Sequence, residues 1–173
     1  RSSHSQARIS ENAVLQNDRS ATPPIVGFAM EPLPSSFRDP SGFVFSHGGS
    51  VYRQVNNSFA QNYDAFIESG LYEKLVSRRL LVSHEGITND SIPRTQDCYK
   101  LIKPQEILFI SYPYEWSFSQ LKEAAMLTLR VQHEALKHGF VLKDASAFNV
   151  QFNESKPVFI DTLSFEPYVP GSP

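Results

Sequence analysis

The stretch 139–166 constrains the fold more than any other part of this chain of 173 residues. Asp144 and Asn149 fit the pattern D-x-x-x-x-N in a loop that follows a long predicted helix. Asp161 follows at the end of the apolar run Pro157-Val-Phe-Ile, which has the composition of a β-strand. The sequence therefore predicts two polar groups in a loop and a third at the end of a strand.

A predicted hairpin separates these groups. Residues 150–152 and 158–160 are expected to form its strands, and the polar residues 153–156 its turn. Because a hairpin returns the chain to its starting point, we expect Asn149 and Asp161 to lie at the same edge.

This order of loop and hairpin resembles the catalytic and metal-binding segments of the protein-kinase-like fold. The resemblance implies Mg²⁺ and an ATP-like nucleotide as cofactors, with Asn149 and Asp161 holding the cation and Asp144 orienting the acceptor hydroxyl. A second interpretation stays open, because Asp and Asn are also common in loops, where their side chains bond the neighbouring backbone.

Composition limits the classes of partner, binding site and location that the chain can have. A formal charge of −2 and a pI near 6.2 give no general case for nucleic acid or an anionic membrane as a partner. The single cysteine, Cys98, excludes an internal disulfide and a cysteine-rich zinc site. Without a signal peptide pattern or a membrane-spanning apolar run, we expect a cytoplasmic protein. The start at Arg1 and the end soon after Asp161 suggest a fragment of a longer protein.

Three regions are predicted. Residues 1–41 are polar and proline-rich and are expected to be mostly irregular. Residues 42–116 should form a small lobe of sheet and helices, and residues 117–173 a truncated helical lobe that carries the metal-loop hairpin. The predicted strands of the first lobe are 42–46, 50–55, 99–102 and 106–112, the last of them central because it is almost continuously apolar.

The turn of the first hairpin contains Gly48 and Gly49. It fits either a phosphate-covering loop or an ordinary hairpin turn, and the paired glycines lack the spacing of a phosphate loop.

Two basic residues are candidates for contacting phosphate. Kinase-like folds place a lysine on a strand of the small lobe, and the corresponding residue here is Arg53, with Glu68 as its expected partner on a helix over 58–69. Alternatively, both residues are surface charges. Lys143 would also offset phosphate charge, or it is a solvated neighbour of Asp144.

The segment 112–116, Tyr-Pro-Tyr-Glu-Trp, falls where a kinase-like fold joins its lobes. Backbone groups near Tyr112 are candidates to bind adenine, and Glu115 to bind the ribose. The alternative is that the aromatic residues are core packing.

Ser117 begins the clearest helix, with Gln120 completing a capping box and Gly139 following the helix end. Its apolar residues cover two adjoining faces, so we expect a buried helix that supports the Asp144 loop. One face contains 118, 121, 125, 129 and 136, and the other contains 124, 127, 131 and 135.

Three strings point to a family: 112–122 (YPYEWSFSQLK), 142–152 (LKDASAFNVQF) and 159–166 (FIDTLSFE). They resemble the N-terminal region of bacterial proteins, some of the nodulation type, that carry a class I S-adenosylmethionine-dependent methyltransferase domain further along. The resemblance implies that this domain is the partner and binds S-adenosylmethionine outside the present chain. Val141-Leu-Lys-Asp and Asp161-Thr-Leu differ from the motifs of protein kinases, which argues against that activity.

The sequence thus predicts an α+β, partial protein-kinase-like fold from a transferase-type protein. One hypothesis is a Mg-nucleotide site, either a pseudokinase or the remnant of a small-molecule phosphotransferase, with an acceptor that the sequence does not identify. The other is a non-catalytic module that presents a substrate to the methyltransferase domain.

Overall fold

The computed structural model describes residues 31–32 and 39–171. Most of the segment predicted to be irregular, 1–41, therefore lies outside the described residues. The strands are β1 (Glu31–Pro32), β2 (Gly42–His47), β3 (Ser50–Asn56), β4 (His84–Gly86), β5 (Cys98–Pro104), β6 (Phe140–Leu142), β7 (Val150–Asn153), β8 (Lys156–Phe159) and β9 (Phe165–Pro167). The α-helices are α1 (Ala60–Glu68), α2 (Leu71–Ser77) and α3 (Phe118–Lys137), and 3₁₀ turns occupy Asn57–Phe59, Pro113–Glu115, Ala147–Asn149 and Thr162–Ser164.

The first half of the described chain is an antiparallel sheet of five strands in the order β1-β2-β3-β5-β4. The helices α1 and α2 connect β3 to β4. In the second half, α3 is followed by two small antiparallel pairs, β6 with β9 and β7 with β8. The predicted α+β fold class is confirmed: a small antiparallel sheet with a few helices is followed by two short antiparallel strand pairs.

Glycines allow the β2–β3 hairpin to form. Gly48 and Gly49 make the turn with positive φ angles of 57° and 78°, which glycine adopts without strain. At Gly42, where φ is 155°, a Cβ atom would lie 2.0 Å from the backbone oxygen of Gln54. Only glycine therefore fits at the start of β2.

The main core lies where the helices meet the C-terminal strands. Phe66 of α1 stacks on Phe165 of β9 with ring centroids 4.5 Å apart and also contacts the edge of Phe140. The cluster continues through buried residues of α2, α3 and β8, which are Leu71, Leu75, Ala124, Leu127, Val131, Ala135 and Phe159. The packing of α1 and α3 against the same strands fixes the loops that connect those strands.

A buried polar clasp joins the segment before α3 to β7. The backbone N–H and C=O of Ser111 bond the side-chain amide of Gln151, each at 3.0 Å, and the Trp116 indole N–H donates to the Ser111 hydroxyl at 2.8 Å. The segment 111–116, which links the two halves of the described chain, is thus hydrogen-bonded to the β7–β8 hairpin.

The prediction of a central strand over 106–112 is wrong. The chain leaves the sheet after Pro104, and Leu108 and Phe109 are 93% and 76% exposed. The physical reason is that β3 and β4 already pair with both edges of β5, so no central position remains for another strand.

The expected burial of α3 is half correct. The helix begins at Phe118 with the predicted capping box between Ser117 and Gln120, and the face with Ala124, Leu127 and Val131 is buried. The adjoining face is exposed within the described part of the chain.

Candidate functional site

Backbone pairing brings the predicted catalytic loop beside the segment that follows β8. The Lys143 N–H donates to the Ser164 carbonyl at 2.8 Å, extending the β6–β9 pair. The Ile160 N–H donates to the Asn149 carbonyl at 2.8 Å, extending the β7–β8 pair. The loop 143–149 therefore runs alongside the segment that carries Asp161.

The loop uses Asp144 and Asn149 for its own bonds. One carboxylate oxygen of Asp144, Oδ1, accepts the Ser146 N–H at 2.8 Å. The Asn149 side-chain amide donates to the Asp144 carbonyl at 3.4 Å. The Asp144 carboxylate is otherwise exposed. These contacts match the structural interpretation of the two residues, and they leave the exposed carboxylate accessible.

Asp161 is the most heavily bonded of the three residues. Its Oδ1 accepts the Leu163 N–H at 3.0 Å, and its Oδ2 accepts the Ser164 hydroxyl at 2.6 Å. Through these bonds it caps the turn Thr162–Ser164. Its Oδ1 also lies 2.7 Å from Nη1 of Arg53.

The partner of Arg53 differs from both predictions. The side chain of Arg53 is 9% exposed and pairs with Asp161, whose side chain is 14% exposed. Glu68 is exposed at the end of α1, and no ion pair joins it to Arg53 in the part of the chain that the structure describes. Arg53 is therefore neither a surface charge nor the partner of Glu68. It neutralises the carboxylate that was expected to hold the cation.

Lys143 is directed toward the start of β2. Its ammonium group lies 2.6 Å from the Ser41 hydroxyl, 3.4 Å from the Asp39 carboxylate and 4.9 Å from the ring centre of Phe59. Burial acts to raise the pKa of Asp39, but hydrogen bonds from Ser41 and the charge of Lys143 outweigh it, so this pKa is lowered. Lys143 thus ties the Asp144 loop to the segment that leads into β2, and its role toward phosphate stays a prediction.

The aromatic segment before α3 divides into two parts. Trp116 is buried in the core, whereas the rings of Tyr112 and Tyr114 are exposed and stack on each other at 5.4 Å. The Glu115 carboxylate accepts the Tyr112 N–H at 2.7 Å. Core packing therefore describes only Trp116. Adenine and ribose binding by Tyr112 and Glu115 stay predictions.

A polar cluster that no sequence motif indicated lies between the sheet and the helices α1 and α2. His84 Nε2 shares a hydrogen bond of 2.9 Å with the Tyr63 hydroxyl, and its backbone N–H and C=O both bond the Tyr72 hydroxyl. Burial, assisted by the charges of Lys100 and Arg53, lowers the pKa of His84 to about 4. No local motif marks this cluster, because its members come from three elements.

We expect the His84 cluster to weaken the fold in mild acid. A histidine with a pKa near 6.5 when unfolded and about 4 when folded binds its proton first in the unfolded chain. Above pH 6.5 this residue therefore does not change the free energy of unfolding. As the pH drops from 6.5 toward 4, the free energy of unfolding falls. The total loss reaches up to about 3 kcal/mol, reduced by the partial exposure of the ring. Urea unfolding across this range measures the slope.

The matched variants are His84→Gln and His133→Gln. The first should flatten the slope between pH 6.5 and 4, because glutamine has no proton to gain. The second alters an exposed histidine on α3 and should leave the slope as in the parent. An unchanged slope in His84→Gln would contradict the assignment.

In the described arrangement, protein groups already contact the Asp161 carboxylate that was expected to hold Mg²⁺. The ion needs several hard oxygen ligands with nearly octahedral geometry. Here the Asp161 carboxylate already carries a guanidinium at 2.7 Å and two further hydrogen bonds. Among the residues 39–171 no group of three or more His, Cys, Asp or Glu side chains is placed to hold a metal ion. Arg53 would have to leave before a cation could approach Asp161.

No protein-family model matches the sequence. The chain is homologous to nodulation protein NoeA of Rhizobium meliloti (strain 1021), with 36% identity over 160 residues, or 88% of this chain and 32% of that protein. It thus spans about a third of the relative's length. Among solved structures, vaccinia related kinase 3 aligns with a TM-score of 0.48 and 14% identity, over 82% of this chain and 49% of that one. No helix in the described residues is long and apolar enough to cross a membrane.

Proposed function

We propose that this chain is a non-catalytic, kinase-like accessory module of a nodulation-type protein. The observation that carries the proposal is the ion pair between Arg53 and Asp161. A buried carboxylate that is neutralised inside the protein is a poor ligand for a second cation, because the approaching metal meets the guanidinium charge. The pair then serves as a structural link between the sheet and the loop after β8.

We infer the partner of such a module from the strings 112–122, 142–152 and 159–166, which resemble bacterial proteins with a downstream methyltransferase domain. In proteins of that group the neighbouring domain is a methyltransferase that uses S-adenosylmethionine. The module would hold that domain in position or present its acceptor substrate. The homology to NoeA supports the nodulation context.

We expect Mg²⁺-ATP to leave the melting temperature unchanged. A ligand at one hundred times its dissociation constant stabilises a protein by about 2.7 kcal/mol, which for a chain of this size corresponds to roughly 5 to 11 °C. Differential scanning fluorimetry with Mg²⁺ alone, ATP alone and both together measures this shift. A saturable rise with Mg²⁺-ATP that is lost in Asp161→Asn would overturn the proposal.

That overturning result would establish the second candidate function, a Mg-nucleotide site. It is favoured by the convergence of the Asp144 loop with Asp161, and by the Arg53 Nε atom, which is buried without a hydrogen-bond partner among the described residues. In this state Arg53 would leave Asp161 and face phosphate. Asn149 and Asp161 would then hold the cation, Lys143 would offset phosphate charge and Asp144 would orient the acceptor hydroxyl.

A further inference from the structure

The exposed face of α3 carries an apolar stripe that runs from Phe118 to Leu129 and resumes at Leu136. Phe118 and Leu129 are 82% and 63% exposed, and Leu121, Ala125 and Leu136 are also exposed. Successive members are spaced by three, four, four and seven residues, so they share one helical face. The stripe extends over about 27 Å at 1.5 Å per residue. It is separate from the buried face of the same helix, which already packs on the core.

One side of this stripe is cationic. Lys122 and Arg130 are exposed beside it, and neither forms an ion pair within the described residues. They line a groove of about 510 Å³ with Phe118, Met126 and Lys156, the last being the first residue of β8. Glu123 is the single acidic residue in the lining. The groove thus combines apolar side chains with an excess of positive charge.

We propose that this face of α3 docks a protein partner through an amphipathic helix with acidic residues beside its apolar stripe. A helix of about eighteen residues would match the length of the stripe and would pack at an interaxial distance of roughly 8 to 10 Å. Glutamate or aspartate on its flank would meet Lys122, Arg130 and Lys156. Apolar contact would supply affinity, and the charges would select the partner and its orientation.

Charge separates this partner from a second copy of the chain. In a symmetric pair of α3 helices the cationic flank would repeat on both sides, with little acidic surface to offset it. An acidic helix meets no such repulsion. The proposal does not depend on whether the chain binds a nucleotide, because none of these side chains contacts the Arg53–Asp161 ion pair.

The test uses the full 173-residue chain and labelled synthetic helices of eighteen residues. One probe has a leucine stripe with glutamate flanks, a second has the same stripe with lysine flanks, and a third is a scrambled form of the first. Fluorescence anisotropy at low salt should show the glutamate helix binding about tenfold more tightly than either alternative. This preference should weaken as the salt concentration rises.

Variants identify the face. The pair Lys122→Glu and Arg130→Glu together should weaken binding of the glutamate helix about tenfold and strengthen binding of the lysine helix. Leu129→Ser should weaken both without changing the melting temperature, because this side chain is exposed. Lys74→Glu, on the exposed surface of α2, is the matched control and should change neither affinity.

Two results would overturn the proposal. The first is equal affinity for all three probes, which would mean unspecific apolar binding. The second is a dimer in sedimentation velocity that Leu129→Ser dissociates, which would make a second copy the occupant.

Discussion

Replacing Arg53 with methionine is expected to destabilise the protein by about 3 to 5 kcal/mol, because it leaves a largely buried carboxylate without its counter-charge. The two hydrogen bonds that Asp161 accepts from Leu163 and Ser164 remain, but they do not replace a cation. Equilibrium unfolding in urea at pH 7 gives the free energy directly. The corresponding fall in melting temperature is roughly 6 to 20 °C.

A double variant tests whether the pair itself is responsible. Removing both charges in Arg53→Met with Asp161→Leu should recover most of the loss, because no isolated buried charge remains. Arg78→Met is the matched control. Arg78 lies 2.7 Å from Glu134 but is 49% exposed, so its loss should cost less than about 1 kcal/mol. A cost below 1 kcal/mol for Arg53→Met would contradict the structural role proposed for the ion pair.

The second large effect is expected in the core. Phe66→Ala should destabilise the protein by about 3 to 5 kcal/mol, because the ring is fully buried and its removal opens a cavity against Phe165 and Phe140. Urea unfolding measures the change.

Phe109→Ala is the control for that experiment. This ring is exposed, so its removal should change stability by less than about 0.5 kcal/mol. Equal costs for the two variants would contradict the burial of α1 against β9.

Local signals in the sequence predicted the elements that local interactions form. Ser117 and Gln120 marked the start of α3, and their two reciprocal hydrogen bonds are present. Gly48 and Gly49 marked a hairpin turn that requires positive φ angles. Each of these features is encoded within a few neighbouring residues.

Long-range features could not be predicted in the same way. The partner of Arg53 lies far along the chain, beyond three helices, and nothing near either residue specifies the pair. The run 106–112 has the apolar composition of a strand, but strand formation also needs a free edge, which β5 does not offer. The hydrogen bonds of His84 also depend on the fold, because Tyr63 and Tyr72 come from two helices that lie earlier in the chain.

The candidate site also combines a local feature, which the sequence predicted, with a long-range contact, which it did not. The predicted hairpin is present, and chain reversal places Ile160, the neighbour of Asp161, beside Asn149. Whether a side chain there is available to a ligand depends on what folds against it. For Asp161, that neighbour is a guanidinium from the opposite half of the chain.

The clasp formed by Ser111, Gln151 and Trp116 has a consequence for motion. Enzymes that enclose a substrate between lobes rely on a connecting segment whose dihedral angles can change. Here two buried hydrogen bonds anchor the segment 111–116 to the β7–β8 hairpin, and a third, from the Trp116 indole to the Ser111 hydroxyl, holds the segment itself. Moving this segment away from the hairpin would break buried hydrogen bonds, so it suits a fixed support better than a hinge.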